Sequence, residues 1–279
     1  MIGEGGFATV CVGNLGGKPV ACKMVHERTH EYTLLEENDV LTRVSSHPNI
    51  CTSFGVTMWE DRLVLMTELC DGGDLMTIVT NEGPMNEDCA RPLFRQISDA
   101  VWFCHQRGIV HCDIKLENIC MTTDPTTGAK KAILLDFGIA NQPNSGSAYY
   151  APPETYTAET VHPQGDVWSL GICLFAITCG FFPFETAHHS DQRYTRVQDR
   201  QVYSSLCEFV HCMYRITCAA SDSLRDLIDG ILIASLSERS TLFEVIHSRW
   251  ISLIDTQTRD FFDNLHTTDN VVSFLPMVC

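Results

Sequence analysis

The most constraining feature of the 279-residue chain is a pair of polar clusters set among apolar residues. His111-Cys112-Asp113-Ile114-Lys115-Leu116-Glu117-Asn118 is followed by Leu134-Leu135-Asp136-Phe137-Gly138. Asp113 can accept a proton, and Lys115 can neutralise a transferring phosphoryl group. Asn118 and Asp136 can hold a divalent metal. Together these are the parts that phosphoryl transfer requires.

The rest of the chain supplies a scaffold for such a site. Alternation predicts strands over Ala8–Val12 and Pro19–Val25, a helix from about Thr29 to Val44, and strands over Thr52–Met58 and Arg62–Glu68. Cys70-Asp71-Gly72-Gly73 breaks the pattern and marks a boundary between lobes. Helices dominate beyond it. Asn86 caps one, with Glu87 and Asp88 in its first turn and Gly108 past its end. Leu93, Ile97, Val101 and Cys104 form its apolar face, while Pro92 sits awkwardly early in it. Short strands are expected at Ile109–Val110 and Ala132–Leu135, and helices near Gly165–Thr178, Asp222–Ala234 and Leu242–Ser248. A small β-rich lobe joined to a larger α-rich lobe makes an α+β chain with a cleft between, a usual place for a ligand.

Charge and cysteine usage exclude several classes. Lysine plus arginine is 19 and aspartate plus glutamate 35, a net charge of −16. This argues against nucleic-acid binding and against a polybasic membrane surface, and favours basic partners. The 14 cysteines include no C-x-x-C pair, the closest being Cys207 and Cys212, so zinc ribbons and dithiol redox motifs are unsupported. His211 beside Cys212 reads as structural. The start lacks the basic and apolar regions of a signal peptide. The apolar run from Val167 to Phe184 contains Ser169 and Thr178 and ends in Gly180 and Pro183, which reads as a buried helix rather than a membrane span. A cytoplasmic location with free thiols is expected, the nucleus being the alternative.

Two further motifs are ambiguous alone. Gly3-x-Gly5-x-x-Ala8-x-Val10 places glycines at a strand turn, where backbone N–H groups can approach phosphate oxygens, but glycine-rich hairpins are common. Val20-Ala21-Cys22-Lys23 sets a lysine in an apolar strand, where it must snorkel or meet an anion. Taken in order with the two polar clusters, they make the chain resemble the eukaryotic protein kinases over nearly its whole length. Gly146–Glu154 looks like the family segment that ends in alanine-proline-glutamate, with Pro152 in place of the alanine. Asp166–Gly171, Gly180–Phe184 and Arg239-Ser240-Thr241 match later landmarks.

The resemblance implies one bilobal kinase domain over 1–279, with an N-lobe over 1–68, a hinge at 69–73 and a C-lobe from 74. It implies ATP as phosphoryl donor, Mg2+ as metal with Mn2+ as substitute, and protein substrates phosphorylated on serine or threonine. Asp113 would orient the substrate hydroxyl and Lys115 would neutralise the transferring group. Lys23 would hold the α- and β-phosphates and pair with a helix glutamate. Glu37 fits that pairing, because it shares a face with Leu34, Leu41 and Val44, whereas Glu36 points away. Ile2, Gly3 and Gly5 would approach the nucleotide. Val10, Ala21 and Cys120 would sandwich the adenine, Thr67 would guard the back of the cleft, and Glu68 to Cys70 would face the base. Asp74 would sit near the ribose or the substrate, and Asn118 and Asp136 would hold the metal.

Other matches bear on subgroup and packing. Lys115, two residues after Asp113, is similar to the serine/threonine kinases. The connection Thr122–Lys131, the run Gly180–Phe184 and the ending His247–Trp250 look most like the calmodulin-dependent and AMP-activated kinase group. The residues after Trp250 contain no long basic amphipathic stretch, so calmodulin control is not supported. Glu117 is the residue type found where substrates carry basic flanks. Glu154 and Arg239 are expected to form a buried structural ion pair, and Asp166 to orient the loop around Asp113.

Four departures stand out. Only Met1 and Ile2 precede the glycine motif, so the sheet is expected to lack its usual edge. Ala8 replaces a glycine, and Cys112 replaces the arginine before Asp113. Ser53 stands where a large apolar residue usually packs against Leu41 and Phe137, so a looser active arrangement is expected. These departures keep open a rival reading, a pseudokinase acting as a scaffold or allosteric module, and leave room for an activating partner that supplies the missing strand. A small-molecule kinase is a third reading, opposed by the matches after Gly146.

Overall fold

The computed structural model describes residues 3–4, 7–124, 128–143, 146–157, 160–198, 208 and 220–253. Ile2 and Gly5, Ser145, and the Cys207, His211 and Cys212 group lie outside the described residues.

The N-terminal part is an antiparallel sheet of β1 (Gly3–Glu4), β2 (Ala8–Leu15), β3 (Lys18–Val25), β4 (Ser53–Trp59) and β5 (Arg62–Glu68). The order is β1-β2-β3-β5-β4. Val20, Ala21, Cys22 and Lys23 pair with Glu68, Thr67, Met66 and Leu65, which fixes which of them face the cleft. The edge next to β2 is two residues long, Gly3 opposite Val10 and Glu4 opposite Thr9.

Helix α1 (Tyr32–Val44) crosses under this sheet and buries Leu34, Glu37, Leu41 and Val44. Their spacing is one helical face, and three of the four are apolar. The helix starts later than Thr29, because Arg28–His30 is a 3-10 turn. Ser53 does not leave an open gap beneath α1. Its hydroxyl donates to Asn38 Oδ1 at 2.7 Å, and Leu41 and Phe137 are each 1 % exposed. A hydrogen bond to α1 stands where an apolar contact was expected.

The second part is helical. It contains α2 (Leu75–Glu82), α3 (Glu87–His105), α4 (Pro163–Cys179), α5 (Gln192–Gln198), α6 (Asp222–Ile231), α7 (Leu242–Ile246) and α8 (Arg249–Ser252). A two-stranded ladder, β6 (Ile119–Thr123) with β7 (Lys130–Leu134), lies between α3 and α4 in the chain. Asn86 caps α3 by accepting from Cys89 N at 3.0 Å. Pro92 is tolerated inside α3, since the carbonyl that loses its donor belongs to Asp88, an exposed residue of the first turn. Helix α4 is the central element: every residue from Asp166 to Ile177 is buried. No helix among the described residues is long and apolar enough to cross a membrane.

Two further expectations need correction. Ile109–Val110 is not a strand. Val110 instead donates its N–H to the Asn141 side-chain oxygen and accepts from Asn141 N, both at 2.8 Å. Asn141 has φ +60°, so a side-chain amide supplies the acceptor that a ladder would have supplied. The helix from Asp222 stops at Ile231 rather than Ala234: Leu232 leaves the helical region with ψ +47°, and Arg239 donates to the carbonyls of Ile233 and Ala234 beyond it.

Candidate active site

Lys23 is brought to the cleft by β3, and its neighbours across the sheet are apolar. Its ammonium lies 2.8 Å from Glu37 Oε2 and 2.7 Å from Asp136 Oδ1. Burial works to lower its pKa, and the two carboxylates override it and hold the ammonium above its ordinary value. Burial raises the Glu37 carboxyl, with Lys23 offsetting only part of the effect. Burial also acts to raise Asp136, but the Lys23 ammonium prevails and holds it below its ordinary value. Glu36 is exposed on the other face of α1.

A second cluster forms around Asp113. Asp113 Oδ2 accepts from Lys115 Nζ at 2.6 Å and from Asn118 Nδ2 at 3.1 Å, while Oδ1 accepts from Ser147 at 3.1 Å. Lys115 also reaches Ser147 at 3.1 Å. The loop is held from below by Asp166, 1 % exposed, which accepts from His111 N and Cys112 N and lies 2.8 Å from His105 Nε2. His111 also packs on Phe137, with ring centroids 4.5 Å apart. This contact ties the loop around Asp113 to the segment carrying Asp136.

The cleft between the clusters measures about 350 Å³. Val10 and Ala21 form its roof, and Cys120 lies at its floor. Thr67, Glu68, Cys70 and Asp74 also line it. Burial raises the Cys70 thiol to about 12 and the Cys120 thiol to about 11, so both present neutral surface. The Asp74 carboxylate is engaged as the cap of α2, accepting from Thr77 N and Thr77 Oγ1 at 2.8 Å each. The Glu117 carboxylate accepts from Tyr150 Oη at 2.9 Å.

The donor set fits a hard divalent cation. Asn118 turns its Nδ2 to Asp113, and Asp136 uses Oδ1 toward Lys23, so the hydrogen bonds of the described residues leave Asn118 Oδ1 and Asp136 Oδ2 available. Among the described residues no group of three or more His, Cys, Asp and Glu could hold a metal ion. An ion here would complete its shell with phosphate and water oxygens, which suits a small cation that keeps its waters.

Several residues at the site were not singled out from the sequence. Cys51 and Leu65 line the back of the cleft, His105 supports Asp166, and Asn141 holds Val110. None carries a local signal; each is recruited by packing between distant segments.

Comparison with known proteins agrees with this geometry. The chain matches the protein kinase domain over residues 1–251. It is 31% identical over 262 residues to sperm motility kinase 1 of Mus musculus, covering 90% of this chain and 50% of that protein. It is 32% identical over 270 residues to the SNF-related serine/threonine-protein kinase of Homo sapiens, covering 91% of this chain and 33% of that protein. The chain thus spans between a third and a half of the length of these relatives. With a family match over nearly all the described residues, the chain belongs to the protein kinase domain family.

Proposed function

We propose that this chain is a serine/threonine protein kinase that transfers the γ-phosphoryl group of ATP to hydroxyl groups of protein substrates in the cytoplasm. The observation that carries the reading is the joint placement of two clusters: Lys23 between Glu37 and Asp136, and Asp113 bonded to Lys115, Asn118 and Ser147. In a kinase the first holds the nucleotide phosphates and the second receives the acceptor hydroxyl.

The roles follow from the atoms available. Lys23, fixed by two carboxylates, presents a charged ammonium to the α- and β-phosphates. Asp113 orients the incoming hydroxyl and takes its proton, while Lys115 offsets charge on the transferring group. The neutral surfaces of Val10, Ala21 and Cys120 enclose the adenine. Asn118 Oδ1 and Asp136 Oδ2 would hold Mg2+, with Mn2+ as substitute; when bound, the metal neutralises phosphate charge. Glu117, Asp74 and the net charge of −16 favour substrates with basic residues beside the acceptor.

The test is phosphate transfer from radiolabelled ATP to a degenerate peptide library, run beside Asp113→Asn. Label on serine or threonine that disappears in the variant, with a gain from arginine near the acceptor, is the expected result. Nucleotide binding without transfer to any peptide would favour a scaffold.

A further inference from the structure

We propose that Cys11 and Cys22 form a redox modification site, closing a cross-strand disulfide on the face of the N-terminal sheet opposite the nucleotide cleft. The two cysteines are directly opposed in the β2–β3 ladder. Among the described residues no other ladder opposes two cysteines. Opposed residues of an antiparallel pair have Cα atoms about 4.5–5.5 Å apart, within the span a disulfide bridges.

The alternation of the strands fixes the face. Val10, Ala21 and Lys23 line the cleft. Cys11 and Cys22, each displaced by one residue, therefore project from the other side. Both are free thiols with partial exposure, so a soluble oxidant can reach them.

Gly13 supplies the second observation. It shares the Cys11 face of β2, and a Cβ at this position would lie 2.4 Å from Cys22 Sγ. The reduced Cys22 thiol thus rests in the space that the missing side chain leaves. Rotation about the Cys22 Cα–Cβ bond carries the sulfur from above Gly13 toward Cys11. Burial, and then the neighbouring Cys11, raise the Cys22 thiol above its ordinary value, so Cys22 serves as the second, resolving sulfur.

The oxidant is glutathione disulfide. The Cys11 thiolate attacks one of its sulfurs, a mixed disulfide forms, and one glutathione thiolate leaves. Cys22 gives its proton to solvent and attacks the Cys11 sulfur, breaking the mixed disulfide and releasing the second glutathione. Two protein thiols are oxidised and one glutathione disulfide is reduced to two thiols. The bridge would weld β2 to β3 one residue away from both Val10 and Lys23.

Trypsin leaves residues 1–23 as one peptide, because Lys18 precedes Pro19 and the next basic residue is Lys23. That peptide contains Cys11 and Cys22 and no other cysteine. The full chain is equilibrated in glutathione buffers of rising oxidised fraction, alkylated with N-ethylmaleimide and mapped by mass spectrometry. The expected result is a peptide that has lost two hydrogens and carries neither alkyl group nor glutathione. Cys11→Ser and Cys22→Ser should each abolish that species. Gly13→Ala, which displaces the resting thiol, should raise the ratio of bridged to reduced peptide. Two alkyl groups or stable glutathione adducts on peptide 1–23 at the most oxidising poise would overturn the proposal. So would a Gly13→Ala ratio no higher than that of the parent chain.

Discussion

At the scale of the residue, the proposed roles of the two aspartates rest on different partners. Asp136 touches Lys23 and leaves Oδ2 available, whereas Asp113 touches Lys115, Asn118 and Ser147 and not Lys23. Asp136→Ala should therefore lose most Mg2+-dependent ATP affinity, and Asp113→Asn should retain it while losing transfer. Calorimetry in the presence and absence of Mg2+ separates the two, and equal large losses of binding would contradict the assignment. Glu37 carries a second expectation. Its carboxyl is raised by burial, so the folded chain binds that proton more tightly than the unfolded chain. The stability this contributes is full below the unfolded value and is lost as pH rises through the folded value. Above the ordinary glutamate value the parent chain should therefore lose stability as pH rises, and Glu37→Gln, which has no such proton, should lose less over the same range. Glu37→Gln should also lower kcat/KM at least about tenfold, roughly 1.4 kcal/mol of barrier. The parent enzyme should lose activity on acidification at a pH above the ordinary glutamate value. The same pH dependence of the denaturation midpoint in parent and variant would show that Glu37 is not the titrating group.

At the scale of the element, the segment from Asp136 to Glu154 docks without a charged anchor at residue 112. Burial raises the Cys112 thiol to about 12, so it is neutral and cannot grip a phosphate. Docking comes from backbone contact instead. Gly146 has φ +102°, and a Cβ there would lie 2.6 Å from the Cys112 carbonyl oxygen, so only glycine allows this approach. Ser147 then bonds Asp113 and Lys115. Activity is expected to survive phosphatase treatment and Ser145→Ala with less than a tenfold loss, about 1.4 kcal/mol. A larger loss would show that a phosphate matters. Helix α1 is also tied to β4 by a polar contact. Ser53→Ala removes the bond to Asn38, one residue from Glu37, and should cost about 1 kcal/mol by denaturant midpoint. An unchanged midpoint would show that the bond contributes nothing to holding α1.

At the scale of the whole molecule, α4 is the post around which the helical part is assembled. Arg239, whose side chain is fully buried, pairs with Glu154 through two bonds of 2.7 and 2.8 Å and lies over the Trp168 ring at 5.0 Å. It thereby joins Glu154, at the end of the segment that begins at Asp136, to α4 and the turn after α6. Removing one partner of such a pair leaves a buried charge, so Arg239→Ala should destabilise by roughly 3–5 kcal/mol, read from urea denaturation. A loss below about 1 kcal/mol would place the pair among weak surface bridges.

The division between sequence and tertiary structure follows from range. Local order was legible: the pattern of α1 set Glu37 apart from Glu36, Asn86 marked a helix start, and the residue types at 113, 115 and 118 singled out side chains that the fold brings together. Their geometry depends on contacts within a few residues or on burial that the pattern itself encodes. What only the tertiary structure decided rests on long-range partners. Ile109–Val110 lost its strand to Asn141, 31 residues further on, and Ser53 found Asn38, 15 residues before it, rather than leaving a gap. In each case a polar side chain competed for a backbone or side-chain group, and which competitor won was decided by proximity in the folded chain, a quantity that no local pattern contains.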